Sequence, residues 1–260
     1  MTAVKNRSTV ERFRFDGQVP LAARDHFERY GFVVLPGVLS PAEVEEVRQD
    51  ARLLERRTLD GEIAAHMRDM VLPPGTDAQG RPRLHRLPYF TQFCERSRQL
   101  VDRHHLDRIG SDLLGPSAWR LEDTFHGAIW QVKRGGRSSY SSIDWHLDFP
   151  ETHPLAPVVN VGVYLNDSHG DNGSLMVVPG SHRYPPTRIE PEPVAISAES
   201  GDVVCHAHNL VHASGPIRDG SERATLYLYY VSGPHPGRWI PFYTNDDVGG
   251  VSSLFHGAAT

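Results

Sequence analysis

A histidine and an aspartate lie two positions apart in the stretch SSIDWHLDFPETH, as His146 and Asp148 on either side of Leu147. Residues i and i+2 of a β-strand share one face, so the imidazole and the carboxylate are expected to project together while Leu147 points the other way. These two side chains are two thirds of a metal site that has three protein ligands. The spacing therefore predicts a metal site whose third ligand comes from another part of the chain.

The third ligand is expected among His206, His208 and His212, which cluster in the stretch GDVVCHAHNLVHASGP at 201–216. Their positions alone leave all three histidines open. The segment after His212 has the composition of a turn, and the strand-like RATLYLYYV follows it. A return strand would bring Arg223, eleven residues after His212, back beside the strand that carries the ligand. Arg223, Thr225, Tyr227 and Tyr229 would then form one polar face.

Two histidines and one carboxylate on three corners of an octahedron leave three positions open, which is typical of non-haem Fe(II) oxygenases. A keto acid can fill two of these positions through its carboxylate and ketone, and O₂ can fill the last. The far carboxylate of such a keto acid needs a fixed cation, and arginine binds carboxylates through two parallel hydrogen bonds. Arg223 is the candidate for this cation.

Several stretches resemble the phytanoyl-CoA dioxygenase family of Fe(II)/2-oxoglutarate-dependent oxygenases. They are WHLD at 145–148, DNGSLMVVPGSH at 171–182, and GDVVCHAHNLVHASGP at 201–216 followed by Arg223. The stretch HFERYGFVVLPGVLSPAEV at 26–44 also resembles the opening of that family. The likeness covers most of the chain except a possible lid and the residues after 233.

The resemblance implies a mainly β fold with flanking helices, in which the core is a double-stranded β-helix (a jelly roll, similar to cupins). It also implies that Fe(II) is held by His146, Asp148 and His212, with 2-oxoglutarate as co-substrate and O₂ as oxidant. Related halogenases carry a small residue in place of the carboxylate. Because this chain keeps Asp148, hydroxylation-type chemistry is favoured over halogenation.

The resemblance further implies that Arg223 and Ser214 bind the side-chain carboxylate of 2-oxoglutarate. Gln131 and Lys133 share a face in AIWQVKRGG, just before the strand of His146, and relatives use polar residues in this region near the co-substrate. The match to the family is looser there.

The remaining pattern predicts a helical N-terminal third packed on a β core, forming a single domain over residues 1–260. Residues 21–30 are predicted to form a helix, and Ser40 and Glu43 form the capping box that begins a second one. From about residue 123 onward, short strands alternate with turns. The segment 66–90, which contains the Pro- and Gly-rich 72–84, is expected to be an exposed lid, and the tail from 234 to 260 is expected to cover the substrate.

Composition limits the possible partners. The net charge is −5 with charges of both signs interspersed, which disfavours nucleic-acid binding. Two cysteines make no disulfide framework, and the start of the chain lacks the apolar segment of a secretory signal. No apolar run approaches the ~20 residues needed to cross a bilayer. The chain is therefore expected to be a cytoplasmic monomer or homodimer that acts on a small molecule, away from membranes.

The predicted function is oxidation of a C–H bond of a small molecule, with release of succinate and CO₂, in bacterial specialised-metabolite biosynthesis. The outcome could be hydroxylation, epimerisation, cyclisation or desaturation. Two alternatives stay open from the sequence. One is a cupin-like metal-dependent isomerase or O₂-only dioxygenase, which would not need Arg223, and the other is a non-catalytic jelly-roll binding module.

Overall fold

The computed structural model describes residues 10–63, 75–76, 80–121, 128–135, 141–148, 157–170, 172–184, 192–218, 220–233 and 249–250. The helices are α1 (Leu21–Tyr30), α2 (Pro41–Leu59), α3 (Phe90–Phe93), α4 (Glu95–Arg103) and α5 (Leu106–Leu114). The strands are β1 (Phe32–Leu35), β2 (Gly75–Thr76), β3 (Pro82–Arg83), β4 (Arg86–Leu87), β5 (Trp119–Arg120), β6 (Ala128–Arg134), β7 (Ile143–Leu147), β8 (Val158–Tyr164), β9 (Leu175–Val177), β10 (Val194–Ile196), β11 (Val203–Ala207), β12 (His212–Ser214), β13 (Glu222–Val231) and β14 (Gly249–Gly250).

The two helices predicted from the N-terminal pattern are confirmed. The first, α1, ends at Tyr30, where Gly31 takes the left-handed conformation that commonly closes a helix. The second, α2, begins after Ser40, whose hydroxyl accepts from the Glu43 backbone N–H while the Glu43 carboxylate accepts from the Ser40 backbone N–H. Both halves of the predicted capping box are therefore formed.

Two antiparallel sheets make the β core. The larger sheet runs in the order β1-β11-β8-β13-β6-β4, with β5 also paired to β13, and the smaller one in the order β10-β9-β12-β7-β14. Strands that are distant in sequence lie side by side in both sheets, as in a jelly roll. The predicted fold class, mainly β with flanking N-terminal helices around a double-stranded β-helix, is confirmed.

The two faces of the large sheet differ in composition, as the alternation along β13 predicts. Ala224, Leu226 and Leu228 belong to the main apolar core, which also contains residues of α1, α2, α4 and α5. Arg223 and Thr225 are buried as well, but they lie on the opposite face. The helices therefore cover one face of the large sheet, and the other face, called the inner face below, carries buried polar side chains.

The expected lid over 66–90 is too long at its C-terminal end. β4 pairs with β6, and Leu84, Leu87 and Phe90 are buried in the main core. These three apolar side chains recur every third residue and pack inward, whereas the Pro and Gly signals for an exposed loop lie before Leu84. Residues 66–74 and 77–79 of the segment are outside the described residues, as is most of the tail after 233.

The two cysteines are structural. Cys94 and Cys205 are free thiols, both buried. Burial, together with the Asp50 charge, raises the pKa of Cys94 to about 12, and burial also raises the pKa of Cys205. Separately, among the described helices none combines the length and the apolar character that crossing a membrane requires.

Candidate metal and co-substrate site

Strand pairing in the small sheet brings the predicted histidine ligands together. His146 on β7 and His212 at the start of β12 are direct cross-strand partners. Asp148 follows the end of β7, and its backbone N–H donates to the carbonyl of His208 at 2.8 Å. Leu147, between the two, points into a separate apolar cluster with Trp145. The predicted alternation along this strand is therefore present.

His146, Asp148 and His212 each direct one ligand atom to a common point. Among the described residues they form a group whose ligand atoms all lie within 4.8 Å of one another. Oδ1 of Asp148 is 3.8 Å from Nε2 of His146 and 3.6 Å from Nε2 of His212. An ion with bonds of about 2.1 Å spans up to about 4.2 Å between two ligands, so these separations suit a single ion.

Backbone carbonyls fix which imidazole nitrogen faces the centre of this group. Nδ1 of His146 lies 2.7 Å from the carbonyl of Asp144, and Nδ1 of His212 lies 2.8 Å from that of Leu210. A carbonyl only accepts hydrogen bonds, so each Nδ1 carries the proton and each Nε2 presents a lone pair. This is the arrangement in which histidines bind metals through Nε2.

The protonation states also suit a metal. Burial is the main cause that lowers the pKa of His146 and of His212 to about 4, so both rings are neutral at neutral pH. Burial opposes ionisation of Asp148. In the acid range where this carboxyl titrates, its interactions with the imidazoles of His212, His206 and His146 and with the Asn160 amide outweigh burial and lower its pKa. Oδ2 of Asp148 is buried and has no hydrogen-bond partner among the described residues. A buried carboxylate beside two neutral imidazoles is a donor set that fits a divalent cation.

Arg223 lies buried on the inner face of the large sheet, at the start of β13. Its Nη1 donates to Oγ of Ser168 at 3.4 Å and to the carbonyl of Gly173, and its Nη2 donates to Oγ of Ser214 at 3.1 Å. The guanidinium carbon also lies 5.7 Å from the centre of the Tyr164 ring. These contacts hold a permanent cation in one orientation, and they place Ser214 beside it.

Lys133 and Gln131 lie on the same inner face. Lys133 on β6 is the cross-strand partner of Arg223, and Gln131 is the partner of Thr225. Burial and the charge of Arg223 hold the pKa of Lys133 well below its ordinary value. The Lys133 charge in turn contributes to the low pKa values of His146 and His212. Lys133 therefore lies within electrostatic range of both Arg223 and the histidine pair.

The structure also settles the positions of the other two clustered histidines. His206 is buried, and its ring centre lies 4.5 Å from that of His212. His208 is buried too, and its backbone carbonyl accepts a hydrogen bond from the backbone N–H of Asp148. Both therefore neighbour the ligand group without joining it.

Asn160 and Gly173 border the site, and sequence reasoning gave neither a place there. For Asn160 a signal existed, because an asparagine inside the apolar strand VVNVGVYL needs a buried polar partner. The sequence Asn172–Gly173 is typical of a turn, and nothing in it shows that the Gly173 carbonyl accepts from Arg223 and from Ser214.

Replacing Gly173 with alanine is expected to weaken the co-substrate site. Gly173 has φ +62°, and an added Cβ would lie 2.7 Å from Cγ1 of Ile217 and 2.8 Å from the Gly215 carbonyl. We expect a loss of about 1–3 kcal/mol in the free energy of unfolding, measured in urea, and a higher KM for 2-oxoglutarate. The matched control is Gly170→Ala in the same loop, where an added Cβ meets nothing within 4 Å. Equal behaviour of the two variants would contradict the expectation.

Comparison with known proteins agrees with this geometry. The ectoine dioxygenase of Streptomyces coelicolor is 28% identical over 176 residues, which are 65% of this chain and 53% of that protein. The chain thus spans about half the length of the curated relatives it matches. The crystal structure of AviO1 from Streptomyces viridochromogenes Tue57 has a TM-score of 0.66 and 27% identity, covering 88% of this chain and all of that one. SnoK, a non-haem α-ketoglutarate-dependent carbocyclase from nogalamycin biosynthesis, shares the fold with a TM-score of 0.62, at 20% identity over 82% of this chain and 84% of that one.

The family match covers more of the chain than the separate stretches that resemble the family. The profile described as phytanoyl-CoA dioxygenase (PhyH) matches residues 27–225. The match extends from α1 to β13 and includes His146, Asp148, His212 and Arg223. The resemblance seen in the sequence is confirmed, and this chain belongs to the phytanoyl-CoA dioxygenase family.

Proposed function

We propose that this chain is an Fe(II)/2-oxoglutarate-dependent oxygenase that oxidises a C–H bond of a small molecule. The observation that carries the proposal is the convergence of two neutral imidazoles and one buried carboxylate on a common point. Membership of the phytanoyl-CoA dioxygenase family supports the same conclusion. The ectoine dioxygenase relative supports a small molecule as substrate.

His146, Asp148 and His212 would hold the iron. Bound there, Fe(II) supplies the redox chemistry that couples decarboxylation of 2-oxoglutarate by O₂, giving succinate and CO₂, to oxidation of the substrate. The residues of this chain fix the tautomers, exclude bulk water and keep the carboxylate ionised. Asp144 and Leu210 contribute through their carbonyls, which orient the two imidazoles.

Arg223 would bind the far carboxylate of 2-oxoglutarate. The side chain is 3% exposed, and the contacts to Ser168, Gly173 and Ser214 already orient it, so little further ordering is needed on binding. The Ser214 hydroxyl, which donates to the Gly173 carbonyl in this structure, would turn to donate to the same carboxylate. Lys133 and Gln131 would face the co-substrate from β6. A buried, oriented arginine favours this function over an isomerase or an O₂-only dioxygenase, which would not need it.

The substrate that we propose is a small molecule of bacterial specialised metabolism. The protein would act on it in the cytoplasm, as a monomer or homodimer. Scarcity of lysine and the absence of a basic patch in the sequence give no support to a coenzyme A thioester or a nucleic acid. SnoK, which shares the fold, is a carbocyclase from nogalamycin biosynthesis, so radical outcomes other than hydroxylation belong to the proposal.

The test is consumption of 2-oxoglutarate by purified protein supplied with Fe(II) and ¹⁸O₂. We expect iron-dependent release of succinate that carries one ¹⁸O atom, at a rate that rises when a correct substrate is present in a screen of small molecules. Oxidation of a substrate without consumption of 2-oxoglutarate would favour an O₂-only dioxygenase. No reaction with any compound, together with ligand binding that does not depend on iron, would favour a binding module.

A further inference from the structure

Three polar residues form one row across the inner face of the large sheet, behind the metal-ligand group. Asn160 on β8 is the cross-strand partner of His206 on β11 and, on its other side, of Tyr229 on β13. Directly paired residues of antiparallel strands project from the same face, so the three side chains lie next to one another. All three are buried, with 3–4% of each residue exposed.

One end of the row touches a histidine ligand. The His206 ring centre is 4.5 Å from that of His212, with 47° between the ring planes. His212 is in turn 4.2 Å from His146, centre to centre, so three imidazoles follow one another across the gap between the two sheets. His206 therefore limits how far the His212 ring can rotate away from the common point.

The middle of the row faces the carboxylate ligand. The Asn160 amide lies within hydrogen-bonding reach of the Asp148 carboxylate. Its cross-strand partner His206 contacts His212, whose Nε2 is 3.6 Å from Oδ1 of Asp148. Nδ2 of Asn160 also donates to the hydroxyl oxygen of Tyr229 at 3.1 Å, which fixes the amide plane. A buried amide on a strand of valines costs folding free energy unless its N–H groups find acceptors. One N–H of Nδ2 is used on Tyr229, and the second is available for the carboxylate of Asp148. The position of Asn160 is therefore better explained by a contact with the Asp148 carboxylate than by packing in the core.

We propose that His206, Asn160 and Tyr229 are positioning residues that hold the metal ligands from the opposite sheet. His206 orients His212, Asn160 orients Asp148, and Tyr229 orients Asn160. This proposal rests on the proposed function, because it assigns the row to the same metal site. Its physical basis is that groups contacting the ligands set their orientation and thereby the affinity for the ion.

The experiment measures Co(II) affinity by calorimetric titration of the purified full chain, without keto acid or substrate. Asn160→Ala is expected to weaken Co(II) binding by about 10- to 100-fold. Tyr229→Phe keeps the ring and removes one neutral hydrogen bond, so a loss of about 2- to 10-fold is expected. Tyr227→Phe removes a hydroxyl from the same face of the same strand, two residues away, and is expected to bind Co(II) like the wild type.

His206 is tested by a pair of variants. His206→Ala removes the ring and is expected to weaken Co(II) binding by about 2- to 10-fold, whereas His206→Phe restores an aromatic ring against His212 and most of the affinity. The visible absorption of bound Co(II) should shift in the Asn160→Ala and His206→Ala variants, because ligand orientation changes. Thermal unfolding of each apo variant shows whether it is folded, and Tyr229→Phe gives a mild alternative where Asn160→Ala does not fold.

Wild-type Co(II) affinity and spectrum in both Asn160→Ala and Tyr229→Phe would overturn the role of the row. Equal losses in His206→Phe and His206→Ala would overturn the part that depends on ring contact. These outcomes differ from failure of the proposed function, in which the wild type binds Co(II) but never converts 2-oxoglutarate to succinate. The affinities are measured without turnover, so each result can be assigned to one proposal.

Discussion

Asp148→Ala is expected to abolish iron-dependent turnover of 2-oxoglutarate. The substitution removes the only negative charge of the ligand group and leaves two neutral imidazoles on one side of the ion. Altering a group that merely supports a ligand costs about 10- to 100-fold in metal affinity, so loss of a ligand itself should exceed about 100-fold. Affinity is measured by Co(II) titration, and activity by succinate formed per 2-oxoglutarate supplied.

The matched control is Asp144→Asn. Asp144 lies on the same strand but is exposed, and its side chain accepts from the Trp145 backbone N–H, which an asparagine oxygen can also do. The backbone carbonyl that orients His146 is unchanged by this substitution. We expect this variant to bind metal as the wild type does. Substantial turnover in Asp148→Ala, or an equal loss in Asp144→Asn, would contradict the assignment of Asp148 as a ligand.

Substitution of Arg223 is expected to remove the preference for a keto acid with a second carboxylate. Truncating one partner of a buried, hydrogen-bonded charge pair costs about 2–5 kcal/mol, so Arg223→Leu should raise the KM for 2-oxoglutarate by about 30-fold or more. Arg223→Lys keeps the charge but loses the bidentate geometry, and a smaller rise of about 10-fold is expected. The KM for 2-oxobutyrate, which lacks the far carboxylate, should change much less in both variants.

The ratio of the two KM values is the informative quantity, because a general loss of folding would affect both keto acids alike. Arg183→Lys, at an exposed arginine, is the control and should leave the ratio unchanged. An unchanged ratio in Arg223→Leu would place the carboxylate elsewhere, with Lys133 as the next candidate.

The local parts of the site could be predicted from the sequence. The alternation of a strand is a property of the backbone, so two residues at i and i+2 identify a shared face without knowledge of the fold. In the same way, the capping box of α2 lies within four residues. The approach of Arg223 to Ser214 was predicted, and the two side chains do lie 3.1 Å apart. The expected pairing was wrong, because β13 pairs with β6 and β8 in the large sheet and not with β12, so Arg223 reaches Ser214 from the opposite sheet.

The parts that depend on register between distant strands could not be predicted. Asn160 is next to Tyr229 and His206 because β8 lies between β13 and β11, and these residues are separated by 69 and 46 positions in the chain. No local pattern encodes that order. The burial of residues 84–90 has the same cause, since it depends on β4 joining the edge of the large sheet.

The state of the two cysteines has a consequence for the proposed activity, which combines iron with oxygen. Thiolates, not thiols, are the species that oxidants attack, and a raised pKa keeps Cys94 and Cys205 protonated at neutral pH. Burial also separates both sulfur atoms from diffusing peroxide. Sulfenic acid formation and cross-linking between molecules should therefore be slow during aerobic handling, and the protein should keep its thiols without added dithiothreitol, a reductant that would itself compete for the metal.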